Sequence, residues 1–472
     1  MAERPPARSV ASERVLARIV APWQIATVRV SPDVRRVAYV APTRAIVVDG
    51  REGRRYDDFM TLRGGVAVFS PDGQRLAYIG IVRGQSFLVI DGVEDGPYAG
   101  IMEEGLAFSP DGRRLAYVVK IGDRWGVVVD GVRQKPYDGI MTLVAGPPGR
   151  PRMIPGATPR HLFELVTFSP DSRRVAYRAR VGTRLFVVVD GQEQQSYDVI
   201  GRLAFSPDGR RLAYAAQRGG KWVVVVDGKE GYEHDALGPN APIWSPDGQK
   251  MAYEARFGAR WAVVVEGQGG KRYDAILEGT LTFSPDGRRF SYAAQEARRS
   301  FVVIDGREEQ RYDGILARSP IFSLDGQRLA YAAGLGEARF VVVDGVERKP
   351  HDGILEGSLT FGADGRRLAY AAARGRERFV VVDGREGRRY DDILNFDPMV
   401  TFSPDGARVA YAARRGTKRF VVVDGQEGRE YDDIPTVGGA SLLFDSSERL
   451  RYLAVRKGAA AAELLLVEET IK

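Results

Sequence analysis

The chain has 472 residues, of which 44% are apolar and 28% charged, with a formal net charge of +7. No cysteine is present, which excludes a disulfide framework, a thiolate metal site and a cysteine nucleophile. No segment reaches the ~20 apolar residues that a membrane span requires, and 55 glycines with 25 prolines favour many tight turns over long helices.

Taken in chain order, residues 1–12 read as a disordered tail. The N-terminal stretch is basic but lacks the apolar run of a secretory signal, so the expected location is cytoplasmic, or periplasmic or secreted only if a presequence was removed. Residues 14–20 (RVLARIV) could supply one strand with no partner of its own.

From there to residue 472 the sequence repeats itself. Phe-Ser-Pro-Asp-Gly followed by Arg-Arg-Leu-Ala-Tyr recurs with its aspartate at positions 33, 72, 111, 171, 208, 247, 286, 325, 364 and 405, and an eroded eleventh copy closes the chain. Each copy also carries a Val-Val-Val-Asp-Gly segment and a Tyr-Asp-x-Ile segment.

The unit from Leu281 to Ile315 shows the expected elements. Leu281, Thr282 and Phe283 form a short strand, and Ser284-Pro285-Asp286-Gly287 is a turn with Pro and Gly where turn geometry favours them. The second strand (289–294) alternates large and small side chains with period 2. The third (301–304) is apolar on both faces, as expected only where both faces are covered. Asp305-Gly306 then turns the chain into a polar fourth strand around Gln310, Arg311, Tyr312 and Asp313.

A four-stranded sheet greasy on both faces cannot stand alone in water, so the copies must stack face to face. The expected fold is all-β, a β-propeller of about eleven four-stranded blades, favoured as a single closed ring in which the N-terminal strand completes the last blade. Two tandem propellers of six and five blades are the alternative. The repeat resembles the TolB-type, WD40-like propeller family over about residues 25–470, a family whose members serve as interaction platforms and as accessory domains of peptidases.

The one large irregularity is an extra stretch at about 141–162. Dense in Pro and Gly, and bearing Arg150, Arg152, Arg160 and His161, it reads as a surface loop and a candidate binding element. The other two histidines, His234 and His351, stand at the Tyr position of Tyr-Asp-x-Ile and read as structural. Trp125, Trp222 and Trp261 begin third strands and read as core.

A residue present in every copy holds a blade together, so function is expected where copies differ. The loops between second and third strands vary most and are basic: Arg178, Arg180, Arg184, Arg218, Lys221, Arg374, Arg376, Arg378, Arg414, Arg415, Lys418 and Arg419. Together they suggest a basic face that attracts anions.

Glu103, Glu104, Glu278 and Glu356 fall in turns between blades. No pattern of metal ligands, cofactor site or catalytic elbow is present, and the aspartates offer one carboxylate per turn, too few for calcium. The reading is a non-catalytic scaffold with a protein partner and no membrane contact. Its alternatives are polyanion binding through the basic face, or a lyase or hydrolase working at a channel mouth.

Overall fold

The computed structural model describes residues 10–19, 27–62, 65–141, 165–435, 442–458 and 461–471. The chain is an all-β propeller of eleven blades, one for each repeat. It divides into two compact units. One holds residues 1–55, 299–302 and 308–472, the other residues 56–298 and 303–307.

The eighth blade, in the first unit, shows how a repeat folds. Strands Leu329–Leu335, Ala338–Val343 and Val346–Glu347 pair in succession and antiparallel. The second and third strands are the buried ones. Ala330, Tyr331, Ala333, Val341 and Val342 are fully covered. Ala330, Ala332, Val341 and Val343 share one apolar cluster with Ile354, Leu368, Tyr370 and Val381 of the ninth blade. Small residues on one sheet thus receive large ones from the next, at the packing density protein interiors require.

Each Ser-Pro-Asp-Gly turn is self-contained. Ser284 Oγ donates to Asp286 at 2.5 Å and accepts from Arg289 N at 2.9 Å, while Gly287 sits at φ +69°. A side chain there would meet the Asp247 carboxylate of the preceding turn, so glycine is demanded twice over.

The Tyr-Asp-x-Ile segment departs from the expectation that it forms the polar edge of its own blade. The fourth strand is instead the short pair after Asp-Gly, such as Val346–Glu347. In the seventh repeat Tyr312 bridges back to Ser300. Two residues on, Gly314–Ile315 pairs forward with Leu329–Leu335, in line with Ile321–Phe322. The segment is therefore a stitch between consecutive blades. Its isoleucine is buried there, which a polar edge strand would not allow.

The last blade is completed from the other end of the chain. Leu443–Ser446, Arg449–Lys457 and Ala462–Thr470 are joined by Val10–Ile19, registered from Val10 opposite Thr470 to Ile19 opposite Ala462. This is the completion expected from the unpartnered N-terminal strand, although the strand begins at Val10, inside the segment read as a tail. Glu13 latches it: its carboxylate accepts from Arg429 Nη1 at 2.7 Å, from Tyr431 OH at 2.9 Å and from Arg456. Burial would raise this carboxyl, but the three donors outweigh it and hold it below its ordinary value.

Candidate functional site

The variable basic hairpins were the sequence's strongest pointer to a surface, and in both units they meet carboxylates. In the second unit Arg184 pairs with Asp198, Arg218 with Glu230 at 2.6 Å and Lys221 with Asp235 at 2.7 Å. In the first, Arg374 pairs with Glu386 at 3.2 Å, Arg415 with Glu427 at 2.6 Å, Lys418 with Asp432 at 2.6 Å, and Arg419 with Asp433.

The spacing is regular. A cation ending a second strand finds its acid 12 residues on, in the fourth strand, and one opening a third strand finds it 14 residues on. Those acids are the Glu after Asp-Gly-x and the Asp of the Tyr-Asp-x-Ile segment, with Asp433 at the x position of its copy. Sequence reasoning placed the second group on a different edge and so missed the pairing.

The remaining candidates are of three kinds. Arg180 and Arg414 donate to backbone carbonyls of Gly182 and Gly416. Arg376 is exposed. Arg178 is only 4% exposed and is not on a surface at all. Arg150, Arg152, Arg160 and His161 lie outside the described residues.

His234 and His351 are buried, each edge-on to the tyrosine of the following repeat, with Nε2 3.3 Å from Tyr253 OH and 3.1 Å from Tyr370 OH. Burial lowers both pKa values, so the rings are neutral at pH 7. They stand in for the tyrosines of pairs such as Tyr312 and Tyr331, whose centroids are 6.2 Å apart. Trp125, Trp222 and Trp261 are half-buried.

One feature was invisible as a motif. Glu254 occupies the residue after the second-strand tyrosine, where most copies have Ala, Val or Ile, and it is 6% exposed. Burial, with the charge of Glu278 from the next repeat, pushes its carboxyl up to about 8. Burial raises Glu278 as well, and its Oε1 is enclosed with no hydrogen-bond partner. Gly238 makes room: a Cβ there would collide with the Glu254 carboxylate.

Glu103 and Glu104 line a separate cavity of about 290 Å³ in the same unit. In the other unit Glu356 lines one of about 520 Å³ with Arg419 and Asp433. Among the described residues no group of three or more His, Asp or Glu is placed to hold a metal ion.

Fold and site together define the class, an eleven-bladed β-propeller whose variable hairpins are braced by ion pairs within the repeat. Among solved structures the chain is similar to a eukaryotic initiation factor, at 13% identity and a TM-score of 0.41, over 86% of this chain and 96% of that one. It is also similar to TolB from Acinetobacter baumannii, at 19% identity and 0.25, over 47% and 61% of the two chains. The propeller domain of the Trilobed protease from Pyrococcus furiosus follows at 13% and 0.27, over 54% and 91%. No protein-family model matches the chain, and no curated protein does.

Proposed function

We propose that the protein is a non-catalytic binding scaffold built on TolB-type repeats, and that it docks a protein partner on the fourth strands of its second unit. One observation carries this reading. Val93 and Val132, at the same position of neighbouring blades, are 71% and 63% exposed, and Tyr232 in the fifth blade is 75% exposed. Most other copies place Arg, Lys or Gln where the two valines stand. Apolar side chains displayed where most copies keep solvated ones support an interaction surface, and an exposed tyrosine can serve as its anchor.

The test is affinity capture with the wild type beside a Val93→Asp, Val132→Asp, Tyr232→Ser variant of unchanged melting temperature. A partner recovered by the wild type and lost by the variant supports the docking surface. Recovery of the same partners by both overturns it.

The polyanion alternative draws less from the geometry, because most of its cations already have carboxylates. The enzymatic alternative is favoured by Glu254, a buried acid that holds its proton near neutrality as general acids must. Hydrolysis of fluorogenic glycosides or esters by the wild type and not by Glu254→Gln would support it, and no turnover by the wild type would end it.

A further inference from the structure

In the ninth blade one carboxylate gathers three groups. Glu386 of the fourth strand takes Lys349 Nζ at 2.7 Å and Arg374 Nη2 at 3.2 Å, and the buried His351 brings Nδ1 to 4.0 Å from it. The three stand 37, 12 and 35 residues before the glutamate. In other blades the corresponding glutamate accepts from a tyrosine at the histidine's position, as Glu94 does from Tyr56 at 2.5 Å and Glu230 from Tyr197 at 2.9 Å. The cluster is therefore a recurring part of the repeat.

In the sixth blade the same three offsets lead to Tyr232, Phe257 and His234, and the glutamate itself is replaced by Gly269. The histidine alone is kept. Its ring holds the pose of His351, each lying edge-on to the tyrosine of the following repeat, at 65° and 64°, with Nε2 hydrogen-bonded to that hydroxyl. The phenol is the stronger acid of the two neutral groups, so Tyr253 OH donates to Nε2 and the ring carries its proton on Nδ1. That donor is enclosed and has no partner, a cost that a glutamate relieves elsewhere.

The place of the missing side chain can be reached from outside. The corresponding carboxylates keep part of their surface in solvent, 32% for Glu230 and 20% for Glu386. Gly269 is itself exposed, its backbone lies outside the left-handed region, and a Cβ on it would touch only the tip of Phe257, at an ordinary 3.9 Å. A second ring flanks the strand, since Tyr232 would lie 3.9 Å from a Cβ built on Gly267. The Arg272 guanidinium rests 4.7 Å from the centre of the Phe257 ring. Two rings and a cation thus flank a bare stretch of backbone beside an unanswered donor.

We propose that the protein docked on the fourth strands inserts an aspartate or glutamate side chain at Gly269, its carboxylate accepting from His234 Nδ1 and pairing with Arg272, its aliphatic stem against Tyr232 and Phe257. The inference rests on the scaffold reading and names what the partner must present. A hydrogen bond to an ionised acceptor is stronger than one between neutral groups, and a donor left unsatisfied by any partner lacking that acid makes the contact selective.

Two measurements separate the site from the reading it rests on. In the full chain carrying isotope-labelled histidine, sodium propionate should shift the His234 ring resonance saturably and propanol should not, with His234→Tyr, the residue most copies carry, identifying the resonance. Gly269→Glu supplies the carboxylate from within, so its response to propionate should be smaller by at least about tenfold at an unchanged or higher melting temperature. Equal responses to propionate and propanol, or an undiminished response in Gly269→Glu, overturn the site. In affinity capture Gly269→Glu should lose the partner that the wild type and Gly269→Ala recover, and recovery by all three overturns the placement of the partner's acid. A wild type that captures nothing ends the docking reading and with it the source of the acid, while the propionate response decides separately whether Gly269 marks a carboxylate position.

Discussion

Asp313 and Gly336 belong to consecutive repeats, and the Asp313 Oδ2 accepts the Gly336 N–H at 2.7 Å. Its other oxygen takes Arg299 at 2.5 Å, the residue that opens the third strand before it. The same carboxylate therefore ties the hairpin of one blade to that of the next. Asp138 with Gly182, Asp198 with Gly219, Asp352 with Gly375 and Asp391 with Gly416 repeat the contact within their own units.

Replacing Asp313 with Ala removes the acceptor for the Gly336 amide and the partner of Arg299. The pair is about half exposed, so its Coulombic part is small. The hydrogen bond to a charged acceptor sets the scale, about 1–2 kcal/mol. Asp313→Asn keeps an acceptor and should lose less. Chemical denaturation of the three proteins checks the order, and an Ala variant as stable as the wild type would refute it.

The paired cations lead to a second expectation. Arg415 already shares Glu427, so Arg414→Glu with Arg415→Glu should create like-charge repulsion more than it abolishes a polyanion site. Elution from a heparin column should need little salt for the wild type and change little in the variant. Steep salt dependence of wild-type retention, lost in the variant, would restore the basic-face reading.

Strand positions and turns were legible because each is encoded within a few residues: Pro-Asp-Gly, Asp-Gly, and the alternation of Tyr with Ala. The closing role of the N-terminal strand was legible from counting strands. The destination of Tyr-Asp-x-Ile was not, because Tyr312 pairs backward and Ile315 forward, and local pattern does not reveal a segment that changes sheets. The charge pairing was present as spacings of 12 and 14, but only the fold says which of many acids within reach is the partner. Arg178 looked like a loop cation because it stands two residues from Arg180 on the same face of one strand, but it lies deeper along Val175–Val181, where the sheet is covered. Glu254 was hidden for the same reason, as a single departure inside an otherwise uniform strand.

The Glu13 latch should make the last blade acid-sensitive. Its carboxyl is held below the unfolded value, so its contribution is complete above that value, near 4.5, and fades as pH falls through the lower folded one. At pH 7, Glu13→Gln weakens three charge-assisted hydrogen bonds to Arg429, Tyr431 and Arg456. Amide exchange at Leu464–Val467 should then accelerate, since these residues pair with the N-terminal strand. As pH falls through the lower folded value, the wild type and variant should come to exchange alike. A difference that persists there would mean the latch does not work through ionised Glu13.

Glu254 calls for the opposite sign. An acid whose folded pKa rises to about 8 binds its proton more tightly in the native chain than in the unfolded one, where it titrates near 4.5. Below pH 4 both states are protonated and the group costs nothing. Between about 4.5 and 8 the unfolded chain ionises first, and the native state loses stability by roughly 3–5 kcal/mol over the whole interval. Above 8 the penalty is constant. Glu254→Gln has nearly the same shape and no proton to lose, so it should match the wild type at pH 4 and exceed it increasingly up to pH 8. Gly238→Ala should destabilise at every pH, because its Cβ would meet the Glu254 carboxyl whether or not that group is charged. Denaturant midpoints at pH 4, 6 and 8 distinguish the two variants. A constant gap between Glu254→Gln and wild type across that range would show that the native chain does not hold this proton.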